Sequence, residues 1–428
     1  MILEKRDLYR LPWSKNDNPI AWLEVTDICN LHCEGCYRKR LSGHKPLEEI
    51  KEEIRFFQRW RNPDNVSIAG GEPLLHPEIL DIVAFIAEAG IKPIVLTNAV
   101  TLTPAFLQEL KQAGLAGFTI HIDSHQGRPG WEGKSEAEHN ELRQHYADMI
   151  AAEGGISTIF NSTVYPSTCH EIPPVVRWGQ ANIDRVQGLV FITYRVFPTD
   201  VTVGVDSSGH AVDAEQLGYS GAYSDETFVT GLEICQLIQE VCPEYEPSGY
   251  LGGTIRHDSY KWLTGVLIGS KHGVYGSIGK RTMELAQVFY HLFRGTYLAY
   301  PMQPRIAALA LPLFPWDRTV RKAVGSWVRD VLRHPGRLLS GLRLQTIGII
   351  QAPDAQPSGQ ADMCDSCPDM TVWNGNLIHS CRMDEYRLFG DMLLAVDKAK
   401  LEPEPMPRAE GSRGSEREPT SVGEQDQG

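Results

Sequence analysis

The sequence predicts an α/β fold built on a partial (β/α)6 barrel of the TIM type, followed by a C-terminal cysteine-rich extension. Strand-like and helix-like segments alternate from residue 20 to residue 195, with short loops between them. Six of these segments are buried strand patterns, most of them followed by a helix, which is typical of a parallel sheet. An open doubly wound sheet is the alternative, and in both folds the chemistry belongs at the carboxyl ends of the strands.

The apolar spacing sets the order of the elements. The predicted strands are 20–27, 65–71, 92–98, 117–123, 156–164 and 186–196. The helices predicted between them are 46–60, 77–90, 103–114 and 135–155. Gly90 and Gly114 stand where the second and third helices should end, as helix-terminating glycines do.

Four regions follow from this pattern. Residues 1–200 are expected to form the barrel, 201–350 a mixed region, 351–400 the cysteine-rich extension, and 401–428 a tail. The tail has too few apolar residues for a core and is expected to be disordered.

Composition excludes several classes of function. The chain has 428 residues and a net charge of -13, which argues against nucleic-acid binding through bulk electrostatics. It shows no signal-peptide pattern and no apolar run long enough to cross a bilayer, so a cytoplasmic location is expected. The nine cysteines are clustered, and clustered cysteines in a cytoplasmic protein favour metal binding over disulfides.

Three of the cysteines occupy a short loop directly after the first predicted strand. Cys29, Cys33 and Cys36 are separated by three and then two residues. Close thiolates bind zinc or an iron–sulfur cluster, but a structural zinc site takes four protein ligands. Three thiolates on a four-iron cluster leave one iron open to an outside molecule. A structural zinc or inert buried thiols are the alternatives.

This loop, followed by "GGEP" after the second strand, resembles the radical S-adenosylmethionine (SAM) superfamily. The resemblance implies a [4Fe-4S] cluster on Cys29, Cys33 and Cys36, whose open iron binds SAM. It also implies reductive cleavage of SAM to a 5′-deoxyadenosyl radical, and an electron donor such as ferredoxin or flavodoxin. The residues expected to contact SAM are Gly70, Gly71, Glu72, Asn98, Asp123, Ser124, Asn161 and Tyr37.

A second cysteine group lies near the C-terminus. Cys364, Cys367 and Cys381 surround "WNGN", a hairpin signal that folds Cys381 back toward the pair. The group resembles the SPASM and twitch extensions of radical SAM enzymes, which implies an auxiliary four-iron cluster. Structural zinc with His379 and free thiols are the alternatives, and Cys235 or Cys242 are further candidates for a fourth ligand.

The segment from Arg294 to Arg343 is basic, with eight arginines and one lysine against two aspartates. On a helical wheel of residues 317–333, Val320, Val324, Trp327, Val328 and Val331 share one face, and Arg318, Lys322, Arg329 and Arg333 lie opposite. This pattern suits a helix packed on the barrel, peripheral contact with the inner membrane surface through residues 306–333, or docking of a peptide or other acidic partner.

The expected function is therefore radical chemistry on a hydrophobic substrate. The stretch 66–79 with "LTNA" (96–99) is similar to radical SAM enzymes of hopanoid biosynthesis, which implies a lipid or isoprenoid substrate. A membrane-docked enzyme would draw such a lipid into the barrel mouth. Peptide or protein modification of the SPASM type is one alternative, and a zinc-binding protein without catalysis is another.

Overall fold

The computed structural model describes residues 3–38, 43–222, 229–299, 311 and 315–400. The tail predicted to be disordered and most of the apolar stretch 306–316 lie outside the described residues.

Six parallel strands form the body of the protein, each neighbouring the next in chain order from β2 to β7. The first seven strands are β1 (Tyr9–Arg10), β2 (Ile20–Thr26), β3 (Asn65–Gly70), β4 (Lys92–Thr97), β5 (Gly117–His121), β6 (Ser157–Val164) and β7 (Gly188–Thr193). The helices between them are α1 (Leu47–Trp60), α2 (Ile79–Glu88), α3 (Pro104–Gln112), α4 (Asn140–Glu153) and α5 (Ile172–Ala181). The predicted partial barrel is confirmed.

The apolar periodicity of the helices explains why they pack on this sheet. In α1 the side chains of Ile50, Ile54 and Phe57 recur at helical spacing and are fully buried. Thr103 begins α3 by accepting a hydrogen bond from the amide of Phe106, an N-cap that satisfies one unpaired donor of the first turn.

The sheet continues past residue 200, where the sequence suggests a boundary. The remaining strands are β8 (Phe197–Pro198), β9 (Thr202–Val205), β10 (Ala211–Val212), β11 (Ser220–Gly221), β12 (Gly249–Leu251), β13 (Trp262–Ser270), β14 (Gly273–Ser277), β15 (Arg343–Ile350), β16 (Asp354–Ala355), β17 (Ala361–Asp362), β18 (Met370–Trp373), β19 (Asn376–His379) and β20 (Leu394–Asp397). β15 joins β7 in parallel, β13 pairs antiparallel with β15, and β12 and β1 follow. β1 and β2 are therefore the two ends of this continuous strand order, and β14 branches from it by pairing with β13.

Four more helices complete the described fold: α6 (Gly231–Val241), α7 (Lys280–Arg294), α8 (Arg318–Arg333) and α9 (Met383–Phe389). α8 confirms the predicted helix of the basic segment and packs on β14, where Ala323 lies against Gly276. Val320 is buried as predicted, whereas Val328 is exposed because it lies at the margin of the packed face. No helix in the described ranges has the length and apolarity needed to cross a bilayer.

The cysteine-rich extension lies against both edges of the sheet. Strand β18 packs beside β2, while the backbone of Cys364 pairs with Gly253 just after β12. The predicted hairpin is present, and Asn374 and Gly375 form its turn with φ of 47° and 73°. The extension thus covers the gap that strand pairing leaves open.

Candidate functional site

The first cysteine loop and the Gly70–Glu72 turn are joined through their backbones. The amide of Gly71 donates to Thr26 O at 2.7 Å, and the amide of Glu72 donates to Ile28 O at 2.8 Å. A Cβ added to Gly71 would lie 2.3 Å from Ile28 O. Only glycine allows this approach, so the "GG" pair fixes the start of the cysteine loop against the second strand end.

Glu72 holds the ends of β3 and β4 together. Its carboxylate accepts from Thr97 Oγ1 at 2.6 Å, from the amide of Asn98 at 2.7 Å and from the amide of Leu74 at 3.0 Å. Burial raises the pKa of Glu72, and these three donors act in the opposite direction. Its carboxylate therefore shapes the two loops that meet at the site.

Asn98 links the end of β4 to the cysteine loop. Its Nδ2 donates to Asn30 Oδ1 at 2.7 Å and lies 3.9 Å from Cys29 Sγ. The amide side chain thereby orients the first cysteine.

Asp123 is hydrogen-bonded to a neighbouring histidine. It is almost fully buried, and its carboxylate lies 2.6 Å from His121 Nε2 and accepts from the amide of His125 at 2.9 Å. Although burial acts to raise it, His121 and the backbone donors lower the pKa of Asp123. His121 lines the cavity that opens at the carboxyl ends of the strands, whereas Asp123 and Ser124 lie outside its lining.

A cavity of about 330 Å³ opens at the carboxyl ends of the strands. The predicted residues that it brings together are Cys29, Cys33, Cys36, Tyr37, Gly70, Gly71, Glu72, Asn98 and Asn161. Asn161 Oδ1 and Thr119 Oγ1 are buried there without a hydrogen-bond partner among the described residues. Buried polar atoms are rarely left unpaired, so these two oxygens mark a place for a polar ligand.

The cysteine loop suits an iron–sulfur cluster. Burial raises the pKa of Cys33 and of Cys36, and neighbouring thiols add to the effect. Bare thiolates at these positions are therefore costly, and binding to iron would compensate their charge. Together with the unpaired oxygens and the free volume, the residues fit a cluster with a bound polar cofactor.

Aromatic side chains from the ends of β6 and β7 surround the same loop. The amide of Gly35 donates to Tyr165 Oη at 2.8 Å, and a Cβ on Gly35 would lie 2.5 Å from that oxygen. The ring of Tyr165 stacks on His125 at 3.9 Å and lies 4.7 Å from Tyr194, which lines the cavity. The sequence analysis did not identify these tyrosines. The available signal was Gly35, because a glycine directly before Cys36 leaves room for a large side chain from another element.

The second cysteine group lines the same cavity. Cys364, Cys367 and Cys381 contribute to its wall together with His379. Burial lowers the pKa of His379 to about 4, so its imidazole is neutral and can act as a metal ligand.

Cys235 and Cys242 are not part of this wall. They are buried on or directly after α6, which packs against α5 and β15, and burial raises the pKa of each to about 12. The suggestion that either supplies the fourth ligand is wrong, because α6 belongs to the core outside the cavity lining.

Ion pairs connect the first cysteine loop to the extension. Arg38, two residues after Cys36, donates to Asp27 at 3.2 Å and to Asp384 at 2.7 Å. Arg387 of α9 binds both carboxylate oxygens of Asp27, at 2.7 and 2.5 Å. These ion pairs, formed by buried Arg38 and Asp384 and half-buried Asp27 and Arg387, thus connect the two cysteine groups. Across the described ranges, no group of three or more His, Cys, Asp or Glu side chains is placed to hold a single metal ion.

The family model described as "Radical SAM superfamily" matches residues 23–152, the span that contains this loop and turn. This chain carries a radical SAM domain. The domain is that of an enzyme, as the cysteine loop predicts.

The relatives match this chain over part of its length. An AdoMet-dependent heme synthase of Nitratidesulfovibrio vulgaris is 24% identical over 44% of this chain and 50% of its own length. A GTP 3',8-cyclase of Alkaliphilus oremlandii is 36% identical over 24% of this chain and 34% of its own length. Among solved structures, Streptococcus suis SuiB bound to precursor peptide SuiA is 16% identical over 53% of this chain and 46% of that chain, with a TM-score of 0.39. The chain spans half or less of each of these proteins.

Proposed function

We propose that the protein reductively cleaves SAM at a cluster on Cys29, Cys33 and Cys36 and uses the radical to modify a hydrophobic substrate of lipid or isoprenoid type. The observation that carries the proposal is the one cavity into which both cysteine groups and a largely apolar wall open. The apolar part of that wall includes Trp22, Leu31, Leu96, Ile192, Val196, Phe197, Trp262, Ile350 and Leu393.

When bound, the cluster and SAM would supply an electron and an adenosyl radical. The chain's own residues position the cofactor and exclude water from the cavity. Gly70 and Gly71 allow the backbone to approach the cofactor closely, and Asn161 Oδ1 offers an acceptor to its hydroxyl or amino groups. The apolar wall keeps water from a reactive species. Burial of the Cys364 group in the same wall supports an auxiliary four-iron cluster on Cys364, Cys367 and Cys381.

The first test is anaerobic incubation with SAM and a reductant, with 5′-deoxyadenosine measured by chromatography. The wild-type protein and Cys169→Ala should form it, because Cys169 lies outside the cavity lining. Cys33→Ala should lose it. Equal activity in all three proteins, or none in the wild type, would refute the proposal.

The second test addresses the auxiliary cluster. Wild-type protein should hold about eight iron atoms per chain if it carries two four-iron clusters, and Cys367→Ala should hold about half as many. An iron content that Cys367→Ala leaves unchanged, or zinc at the second group, would rule that cluster out.

In the first test, a reduced carrier such as flavodoxin or ferredoxin should replace the chemical reductant and still support the formation of 5′-deoxyadenosine.

The third test addresses the substrate. Incubation with a lipid extract should yield a SAM-dependent lipid product by mass spectrometry. A modified peptide from a peptide library, with no lipid product, would instead assign peptide modification.

A further inference from the structure

Large exposed apolar side chains gather at one end of the molecule. Of the fourteen exposed in the described part of the chain, the four most exposed are Leu339 (84%), Phe293 (78%), Leu332 (75%) and Leu292 (69%). Leu338 and Trp60 follow at 56% and 54%. We name these six residues the basal face. Apolar side chains exposed in a group mark an interaction surface, whereas scattered ones need no explanation.

The basal face lies where the parallel strands begin. Asn62, just before β3, donates from Nδ2 to Gly295 O at 2.6 Å, which joins the C-terminal end of α7 to the loop that follows α1. Leu338 and Leu339 belong to the 3-10 helix Pro335–Ser340, which leads into the first residue of β15. Since β15 runs parallel to β7, these leucines share that end of the sheet.

Basic side chains surround the apolar ones. Exposed cations on the same helices are Arg59, Arg294, Arg329 and Arg333, and exposed Lys271 lies in the turn between β13 and β14. Asp330, the acidic residue of α8, is engaged by Arg337 at 2.5 Å and by Tyr275 Oη at 2.8 Å. The face is therefore basic in a chain of net charge -13, which selects an anionic partner.

An open cavity of about 430 Å³ lies within this region. Its polar walls are Lys271, His272, His334, Arg337 and Ser340, and Leu339 forms its rim. His272 Nε2 is 2.9 Å from Ser340 Oγ, and His334 Nδ1 is 3.4 Å from Asp330 Oδ1. Because Arg337 is paired with Asp330, Lys271 is the cation that would meet a headgroup phosphate here, and Leu339 beside it would meet the acyl chains.

We propose that the basal face docks on an anionic phospholipid surface, with a headgroup phosphate in the Lys271–Arg337 cavity and the leucines and Phe293 in the interface. This inference goes beyond the proposed function and does not depend on it. The reactive cavity opens at the opposite end of the strands. Docking through this face would therefore attach the enzyme to the membrane without bringing the mouth of the reactive cavity to the lipid surface.

The test is co-sedimentation of the full chain with vesicles of phosphatidylglycerol and phosphatidylcholine, compared with phosphatidylcholine alone. We expect binding to the anionic vesicles that weakens with salt. Leu339→Glu and Phe293→Glu should each lower the partition coefficient about tenfold or more, and Lys271→Ala about fivefold. The controls are Leu232→Glu, an exposed leucine on α6, and Lys398→Ala, an exposed lysine next to β20; both should bind as wild type. Thermal melting should show all five variants folded.

Three outcomes would overturn the proposal. One is equal binding to both kinds of vesicle, or none. Another is binding of inorganic phosphate at the Lys271 cavity without any vesicle attachment, which would assign a soluble anion site. The last is a dimer in sedimentation velocity that Phe293→Glu dissociates, which would assign the face to a second copy of the chain.

Discussion

Arg61 gives the most demanding test of how the extension is held on the barrel. Its side chain is fully buried at the end of α1, and its guanidinium donates four hydrogen bonds to main-chain carbonyls. Two reach back to the N-terminal segment, at Ile20 O (2.6 Å) and Lys15 O (3.0 Å). Two reach the cysteine-rich extension, at Cys367 O and Pro368 O, both at 2.7 Å. Burial lowers the pKa of Arg61 to about 10, which still leaves it charged at neutral pH.

Replacing Arg61 with Met removes all four donors and keeps much of the side-chain volume. A buried acceptor without its partner costs about 1 kcal/mol or more, so the four together should lower the free energy of unfolding by about 4 kcal/mol. Arg61→Lys should recover part of this loss, because an ammonium has fewer donors and no planar fork. Arg59→Met, an exposed arginine on the same helix, should change stability by less than about 0.5 kcal/mol.

Urea unfolding of anaerobically purified protein, followed by circular dichroism, measures these differences. Limited proteolysis should also cut the Arg61→Met variant first within residues 364–381, since their anchor is gone. Equal unfolding midpoints for Arg61→Met and Arg59→Met would show that the buried guanidinium does not hold the extension.

Two further predictions concern the turn after β3 and the histidine that follows it. Gly71→Ala should lower the iron content by about half, through loss of the cluster at the first cysteine loop, while the matched Gly325→Ala on α8 leaves it intact. An added Cβ would meet Ile28 O at 2.3 Å in the first case and nothing within 4 Å in the second; an unchanged iron content by colorimetric assay in Gly71→Ala would contradict this. Burial lowers the pKa of His76 in the folded state. The contribution of His76 to stability is therefore complete above the pKa of the unfolded state, about 6.5, and is lost as the pH falls from there toward the lower pKa of the folded state. The stability difference between wild type and His76→Gln in urea unfolding should therefore shrink from pH 7.5 to pH 5.5, and a constant difference would refute the assignment.

Much of the radical SAM domain could be predicted because its signals are local. Each strand pattern is a short apolar run, and the helices carry their own periodicity, so order and type follow from neighbouring residues. The exact bounds were harder: the predicted helix 135–155 begins only at Asn140, because residues before it make loop contacts such as Ser124 N to the Glu136 carboxylate at 2.5 Å. The cysteine loop and the Gly70–Glu72 turn were recognisable for the same local reason.

The positions of distant residues had no such signal. That Tyr165 fills the space beside Gly35, or that Arg61 binds Cys367 O across 306 residues, depends on how separate elements pack. The sheet beyond residue 200 was missed because β13 is antiparallel and its partner β15 lies more than 70 residues further along the chain.

By itself, the amino-acid sequence determined the chemistry that is available: three thiols at fixed spacing, glycines where backbone must approach, and helices with one apolar face. Only the tertiary structure decided that the two cysteine groups share one cavity, that Cys235 and Cys242 are excluded from it, and that the basic apolar segment ends on the face opposite the site. The physical reason is that ligand spacing and periodicity are encoded between near neighbours, whereas burial and charge pairing are settled by contacts that form only when the whole chain packs.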